Sequence, residues 1–396
     1  MDDQQEQLRG AFTESYRAQD LTRALETGEA LVQLERSDPL DQRALLLDTH
    51  NLAYVYELCG QHERAVTLYT ECLQLLHQFQ GGATFGRAQA INDLAVAHCR
   101  KGDYQVALAL LAEAMEIVKA KAQLEPELHR ILLYNIANAQ AAQGETAAAL
   151  QAHIEALSLY KAKDLHYADI IASISYLYEQ QQNWERAVEY GEKAVELVKR
   201  LQLQGDRTYG RLLYHLAELY IQQVDFGKAA RLYMQVIRWI KAQWGNRNSS
   251  YVMALTRLSF VYANMDGMAG KARECQARAL EVMRDTVGEN HVYYANSLKN
   301  YASLSKLLGE YGPAAEAMEQ ALAIKKRLLG EDSQDYVNDL IYLVGIYVAW
   351  RRWDEALRVL MDATGHMDRS NSGYQKLLEE MAKLNTSMEQ LRQEQP

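Results

Sequence analysis

The chain has 396 residues, 48% apolar and 24% charged, with a formal net charge of −10 and only four prolines. That balance excludes a general nucleic-acid binder, which needs basic surface to displace counterions. The lack of a basic run likewise excludes an anionic membrane surface as a partner. Few prolines among many Ala, Leu, Gln and Glu residues predict an all-α chain.

The polar, acidic start MDDQQEQ is unlike a secretory signal. Residues 1–40 read as a degenerate helical unit around Ala24, a cap on one end. From 41 to 365 the chain repeats itself. Leu52-Ala53, Leu94-Ala95 and Ile136-Ala137 lie 42 residues apart, as do Gly60, Gly102 and Gly144. Small residues follow in step at Ala65, Ala107 and Ala149, then at Ala187, Ala229, Ala272, Ala314 and Ala356. Eight clear units result, each read as two antiparallel helices. Small residues let the helix axes approach, large ones fill the gaps, and a glycine turns the chain between them. A second set, Gly245, Gly288 and Gly330, reads as helix ends between units. Asn248 or Ser249, Asn290, and Asp332 or Ser333 are the candidate caps of the helices that follow. Of the prolines, Pro313 alone is placed in the opening turn of a helix.

Some units depart from the pattern. Gln182, Val224 and Arg351 stand where the turn glycine is expected, and Gly191 and Gln276 where a large core residue is expected. The segment 264–271 carries one extra residue, and one step shrinks to 38 near 157–170. After Gly365, residues 366–396 read as an amphipathic capping helix, through Tyr374, Leu377, Leu378, Met381, Leu384, Met388 and Leu391, with a polar tail.

The Leu-Ala pair, the aromatic three residues on and the spaced alanines resemble the tetratricopeptide repeat (TPR), in the 42-residue variety of kinesin light chains. The resemblance covers about residues 40 to 365. It implies a TPR-type helical-hairpin solenoid, a right-handed superhelix of about nine helix pairs plus the capping helix. The first helix of each pair would line the concave side.

Within the first clear unit, Thr49, Leu52, Ala53 and Tyr56 face the core, so Leu47, Asn51, Tyr54 and Leu58 face away. Transferring these offsets gives 32 positions over eight units. Seven are asparagine: Asn51, Asn135, Asn138, Asn264, Asn296, Asn300 and Asn338, half of the 14 in the chain. Seven such residues inside helices cost about 3–4 kcal/mol of helix propensity. An amide side chain matches a peptide unit, donor to acceptor. The candidate peptide-binding set is therefore these seven, with Asn92 alongside. Tyr54, Tyr134, Tyr176, Tyr214, Phe260 and Tyr342 add aromatic surface. Arg211, His215, Arg257 and Lys299 add positive charge. In the families resembled, inner-face asparagines hold peptide backbones.

Catalytic signatures are missing: no HExxH, no GxSxG, and no phosphate-loop glycine before either Gly-Lys pair. The four cysteines, Cys59, Cys72, Cys99 and Cys275, form no CxxC pair and suit neither a disulfide framework nor a zinc site. The longest apolar run, 340–350, is too short to span a bilayer. The expectation is a non-catalytic, cofactor-free, cytoplasmic scaffold whose partner is a protein or an extended peptide segment. An alternative from the resemblance is a peptide-sensing regulator like the bacterial quorum-sensing TPR proteins, although the first 40 residues show no DNA-binding pattern.

Overall fold

The computed structural model describes residues 2–37, 41–80, 84–119, 126–160, 163–366 and 372–394. Nineteen helices and no strand occur among them. They fall into two compact units, Met1–Leu197 and Val198–Pro396.

In the first unit α1 (Asp2–Arg17) pairs with α2 (Leu21–Ser37), and α3 (Gln42–Leu58) with α4 (His62–Gln80). Next come α5 (Phe85–Lys101) with α6 (Tyr104–Lys119), and α7 (Pro126–Ala142) with α8 (Thr146–Ser158). The last pair is α9 (Leu165–Gln180) with α10 (Trp184–Arg200), in which the unit ends. The second unit pairs α11 (Arg207–Gln222) with α12 (Phe226–Trp244), and α13 (Ser249–Ala263) with α14 (Ala269–Thr286). It continues with α15 (Val292–Leu307) and α16 (Tyr311–Leu329), then α17 (Gln334–Ala349) and α18 (Trp353–His366). A final helix, α19 (Ser372–Glu394), lies on α17 and α18. The described residues thus form helical hairpins, nine pairs and one terminal helix.

Complementary small and large residues hold each pair together. The repeat alanines of the second helices, among them Ala65, Ala149, Ala229 and Ala314, are wholly buried. Four residues on, Tyr69, Leu111, Tyr233, Met318 and Leu360 are 0–2% exposed and fill the space beside them. The first pair exchanges the two roles. Gly28 takes the large position and Phe12 the small one, and a Cβ on Gly28 would come within 2.9 Å of the Phe12 ring. Against the last pairs, α19 buries Leu377 and Leu384, with Tyr374, Met381 and Met388 beside them. Leu378 is 36% exposed, and the side chain of Leu391 lies outside the described residues.

Turns within pairs close by one geometry, except between α13 and α14, where the longer turn bonds Met265 N–H to Tyr262 O and Met268 N–H to Met265 O (both 3.1 Å). At α5 the Gly102 N–H donates to Cys99 O (3.1 Å) and the Asp103 N–H to His98 O (2.9 Å), with Gly102 left-handed at φ 96°. Gln182, Val224 and Arg351 adopt the same sign, at φ 58°, 61° and 61°. The hydrogen bonds survive without glycine; for β-branched Val224 the conformation is strained. Between pairs, Gly245 and Gly330 combine positive φ with extended ψ (−167° and 162°), a region open essentially to glycine alone rather than the left-handed helix end expected. Asn248 and Ser333 cap the next helices as expected. Before α15 the cap is His291, not Asn290, whose side-chain oxygen instead accepts from Arg327 (3.0 Å). Pro126 also begins a helix, α7, so Pro313 is not alone in an opening turn. The short step of 38 reflects α8, which stops after 13 residues.

Buried charge recurs at matching positions in two places. Arg9 of α1 reaches Glu35 of α2 (2.6 Å) and Asp48 of α3 (2.8 Å). In the other unit Lys299 of α15 and Lys325 of α16 both reach Asp339 of α17, at 2.5 and 2.7 Å. The second cluster has two cations for one anion; the first has the reverse. Burial and the neighbouring Asp48 carboxylate push the Glu35 carboxyl up to about 7.

Candidate functional site

The outward face of the first helices is a surface in each unit. Of its 32 positions His215 alone is buried. In the first unit Leu47, Tyr54 and Leu58 are 59%, 40% and 43% exposed, with Tyr54 edge-on to Tyr16 at 6.3 Å. A row of polar contacts then links α3, α5 and α7. His50 Nε2 meets Asp93 at 3.0 Å, the Asn92 amide donates to Asp93 (3.2 Å), and the Asn135 amide donates to Asn92 Oδ1 (2.7 Å). Asn92 is 4% exposed, so the sequence reading of it as a surface contact is corrected: it ties neighbouring first helices together. Asn135 is half-buried and shares that task. Asn51 and Asn138 make no hydrogen bond among the described residues and reach the surface. Tyr134 tilts against His153 (5.6 Å), and Tyr176 is half-buried on α9.

In the second unit Arg211 is exposed at the start of α11, but His215 is 6% exposed. It packs into the core as a neutral imidazole, burial and then Arg211 pushing its pKa down to about 4, and the expectation of a positive surface group fails there. Tyr214 stacks edge-on with Tyr233 at 5.5 Å and accepts from Arg257 Nε (3.4 Å), which also pairs with Glu218 at 3.2 Å. Asn264 turns back on its own helix, donating to Phe260 O (2.8 Å), and Asn338 accepts from Gln334 (2.9 Å). Lys299 is held by Asp339. Its ammonium lies 5.8 Å from the centre of the Tyr342 ring, and that of Lys306 lies 5.2 Å away.

Four of the predicted residues, Arg257, Phe260, Asn296 and Asn300, meet in one place. They line a groove of about 730 Å³ between α13 and α15, floored by α14. Phe260 is 48% exposed in its wall and Met253 52%. Both Asn296 and Asn300 are exposed and make no hydrogen bond among the described residues. Sequence reasoning noted Gln276 only as an irregularity; here it lies in the groove floor, 1% exposed, its Nε2 donating to Ser297 O (3.2 Å). It stands where Tyr233 and Tyr69 stand in other pairs, and that substitution was the available signal. Among the described residues no group of three or more His, Cys, Asp or Glu side chains is placed to hold a metal, and no helix is long and apolar enough to cross a membrane.

Comparison with known proteins gives consistent results for the architecture. The sequence profile of the tetratricopeptide repeat matches residues 42–120 and 251–327, which cover α3–α6 and α13–α16. No curated protein matches by sequence. Among solved structures, a signal transduction ATPase with numerous domains, carrying a tetratricopeptide repeat sensor and coming from Pyrococcus horikoshii, is 15% identical with a TM-score of 0.60. The match covers 83% of this chain and 53% of that one, so the chain spans about half its length. The apo form of RapI is 13% identical over 87% of this chain and 99% of its own, with a TM-score of 0.57. The C-terminal part of a TPR repeat-containing protein from Cytophaga hutchinsonii is 15% identical over 74% of this chain and 99% of its own, at 0.54. At these identities the likeness is one of fold.

Proposed function

The chain is a tetratricopeptide-repeat protein, and from that premise we propose that it is a non-catalytic scaffold whose first helices grip extended peptide segments of partner proteins. One observation carries this reading. The face that holds half of the chain's asparagines is open to solvent, and the amides of Asn51, Asn138, Asn296 and Asn300 have no partner among the described residues. Amides kept exposed on helix interiors, against helix propensity, suit a ligand that offers alternating N–H and C=O groups. A peptide in extended form does so whatever its side chains. Tyr54 and Phe260 add flat apolar area beside the amides at small entropic cost. Arg257 and Arg211 favour neutral or acidic segments over basic ones.

The reading is tested with a displayed pool of random 12-residue peptides, comparing the wild type with Asn296→Ala/Asn300→Ala. Each lost amide contact costs about 0.5–1.5 kcal/mol. Peptides retained by the wild type should therefore bind the variant about tenfold more weakly, with thermal unfolding unchanged. Equal binding by the two proteins would refute the assignment, as would retention of none of the pool.

A further inference from the structure

The seam between α13 and α15 differs from other seams at two buried positions. Elsewhere these are Leu111 with Leu132, or Tyr233 with Ala254; here they are Gln276 with Ser297. Two polar residues replace a pair that includes a large apolar residue in the later seams; the first seam, Gly28 with Asp48, departs too, but there the Phe12 ring and Arg9 fill the space. Gln276 satisfies its amide N–H on the backbone of α15 (3.2 Å to Ser297 O), and Ser259 donates to Ala272 O (2.7 Å). The polar atoms are turned into the protein, and the volume a tyrosine would fill is left as the floor of the groove.

The walls above that floor are apolar, with Met253 and Phe260 on one side and Met283 and Val287 below. Three polar side chains line the same space, those of Asn296, Asn300 and Arg257. The Arg257 contacts to Tyr214 and Glu218 are both made through Nε. No acidic side chain lines the groove.

Resting on the peptide-binding reading above, we propose that this groove is an anchor site for one large apolar side chain of an extended peptide from another protein, next to an acidic residue that meets Arg257. Geometry favours a strand over other occupants. Asn296 and Asn300 are one helical turn apart, about 6 Å along the axis. Two residues of an extended strand advance by about 6.6 Å. Both amides therefore meet the same edge of one strand, on peptide units of the same orientation. Side chains stand perpendicular to that edge, so one of them points to the floor beside Gln276. A compact apolar molecule would leave two amides and a guanidinium unmatched on desolvation, which is unfavourable.

The probe is an array of acetylated, amidated hexapeptides in a Gly/Ser background, each with one guest residue, with or without an adjoining Asp. The proteins are the wild type, Gln276→Tyr, which restores the tyrosine found at 69 and 233, and Phe260→Ala at an exposed wall position. Circular dichroism checks that each folds. The wild type should favour Phe, Leu or Trp guests about tenfold to a hundredfold over Ala, as burial of such a side chain implies. Adjoining Asp should strengthen binding. Gln276→Tyr should abolish the guest preference, and Phe260→Ala should weaken it. Peptides bound without guest preference, or a preference untouched in both variants, would overturn the anchor while leaving backbone gripping intact. Binding of no peptide by the wild type would overturn both.

Discussion

His153 offers the sharpest test of how the repeat tolerates a polar residue in its core. It holds the position that Leu111 and Leu360 hold in other pairs, is 1% exposed, and its Nδ1 has no partner among the described residues. Burial holds its pKa down to about 4, from an ordinary 6.5. The folded state therefore binds a proton less readily than the unfolded one. Its stability is intact above pH 6.5, falls as the pH drops from 6.5 to about 4, and is flat below. At pH 5 the two values correspond to ~2 kcal/mol of lost stability, against almost none at pH 7.5. His153→Leu removes that dependence and also the unpaired nitrogen, a gain of about 1 kcal/mol at any pH. Urea unfolding followed by circular dichroism at pH 7.5 and 5.0 measures both. His215, held down in the same way, acts in wild type and variant alike, so the quantity that matters is the gap between the two proteins. The gap should widen by ~2 kcal/mol at pH 5. A constant gap would mean that His153 charges without penalty, and the burial argument would be wrong.

Two further outcomes follow from the core and the turns. Val224→Gly relieves a left-handed β-branched residue in an exposed turn and should stabilise the second unit by about 1–2 kcal/mol, read from its denaturation midpoint; no gain would show the strain to be absent. Glu35, pushed up to about 7, makes the first unit less stable as the pH rises from 4.5 through about 7, because the folded state holds the proton more tightly. Glu35→Lys, which copies the Lys325 arrangement, should erase that decline in unfolding titrations between pH 5 and 8.5, and an unchanged decline would assign it to another group.

The pairing of helices was legible from sequence because each unit repeats one small and one large residue at fixed offsets, as at Ala65 with Tyr69 and Ala229 with Tyr233. The outward face was legible for the same reason: once Thr49 and Tyr56 are assigned inward, helical geometry leaves Asn51 and Tyr54 outward. Burial at the edge of that face was not. Asn92 and His215 lie close enough to the core side that packing of the neighbouring helix decides, and no single-helix projection contains that neighbour. Asn264 escaped because the chain ends α13 there and its amide finds its own backbone. The groove could be read only in part: Gln276 was visible as an irregularity, but the space it leaves depends on Ser297, 21 residues away. The charged clusters left a trace that periodicity alone does not weigh, an acid at a core position in both Asp48 and Asp339.

Those clusters bear on how a chain of similarly built hairpins finds its own neighbours. Asp48 is satisfied by a cation one position class away on the preceding pair, Arg9. The equivalent residues of the other intervening pairs are His50, Asn92, Tyr134, Ala172, Tyr214 and Thr256, none carrying a fixed positive charge. Docked one hairpin out of step, α3 would seal a carboxylate in the core with no counter-charge, a loss of several kcal/mol. Within its own unit, Asp339 would meet the same fate beside any pair but the one that carries Lys299 and Lys325. Each cluster thus acts as a registration pin, making mis-stacked arrangements expensive in a molecule whose apolar contacts alone discriminate poorly between one hairpin and the next.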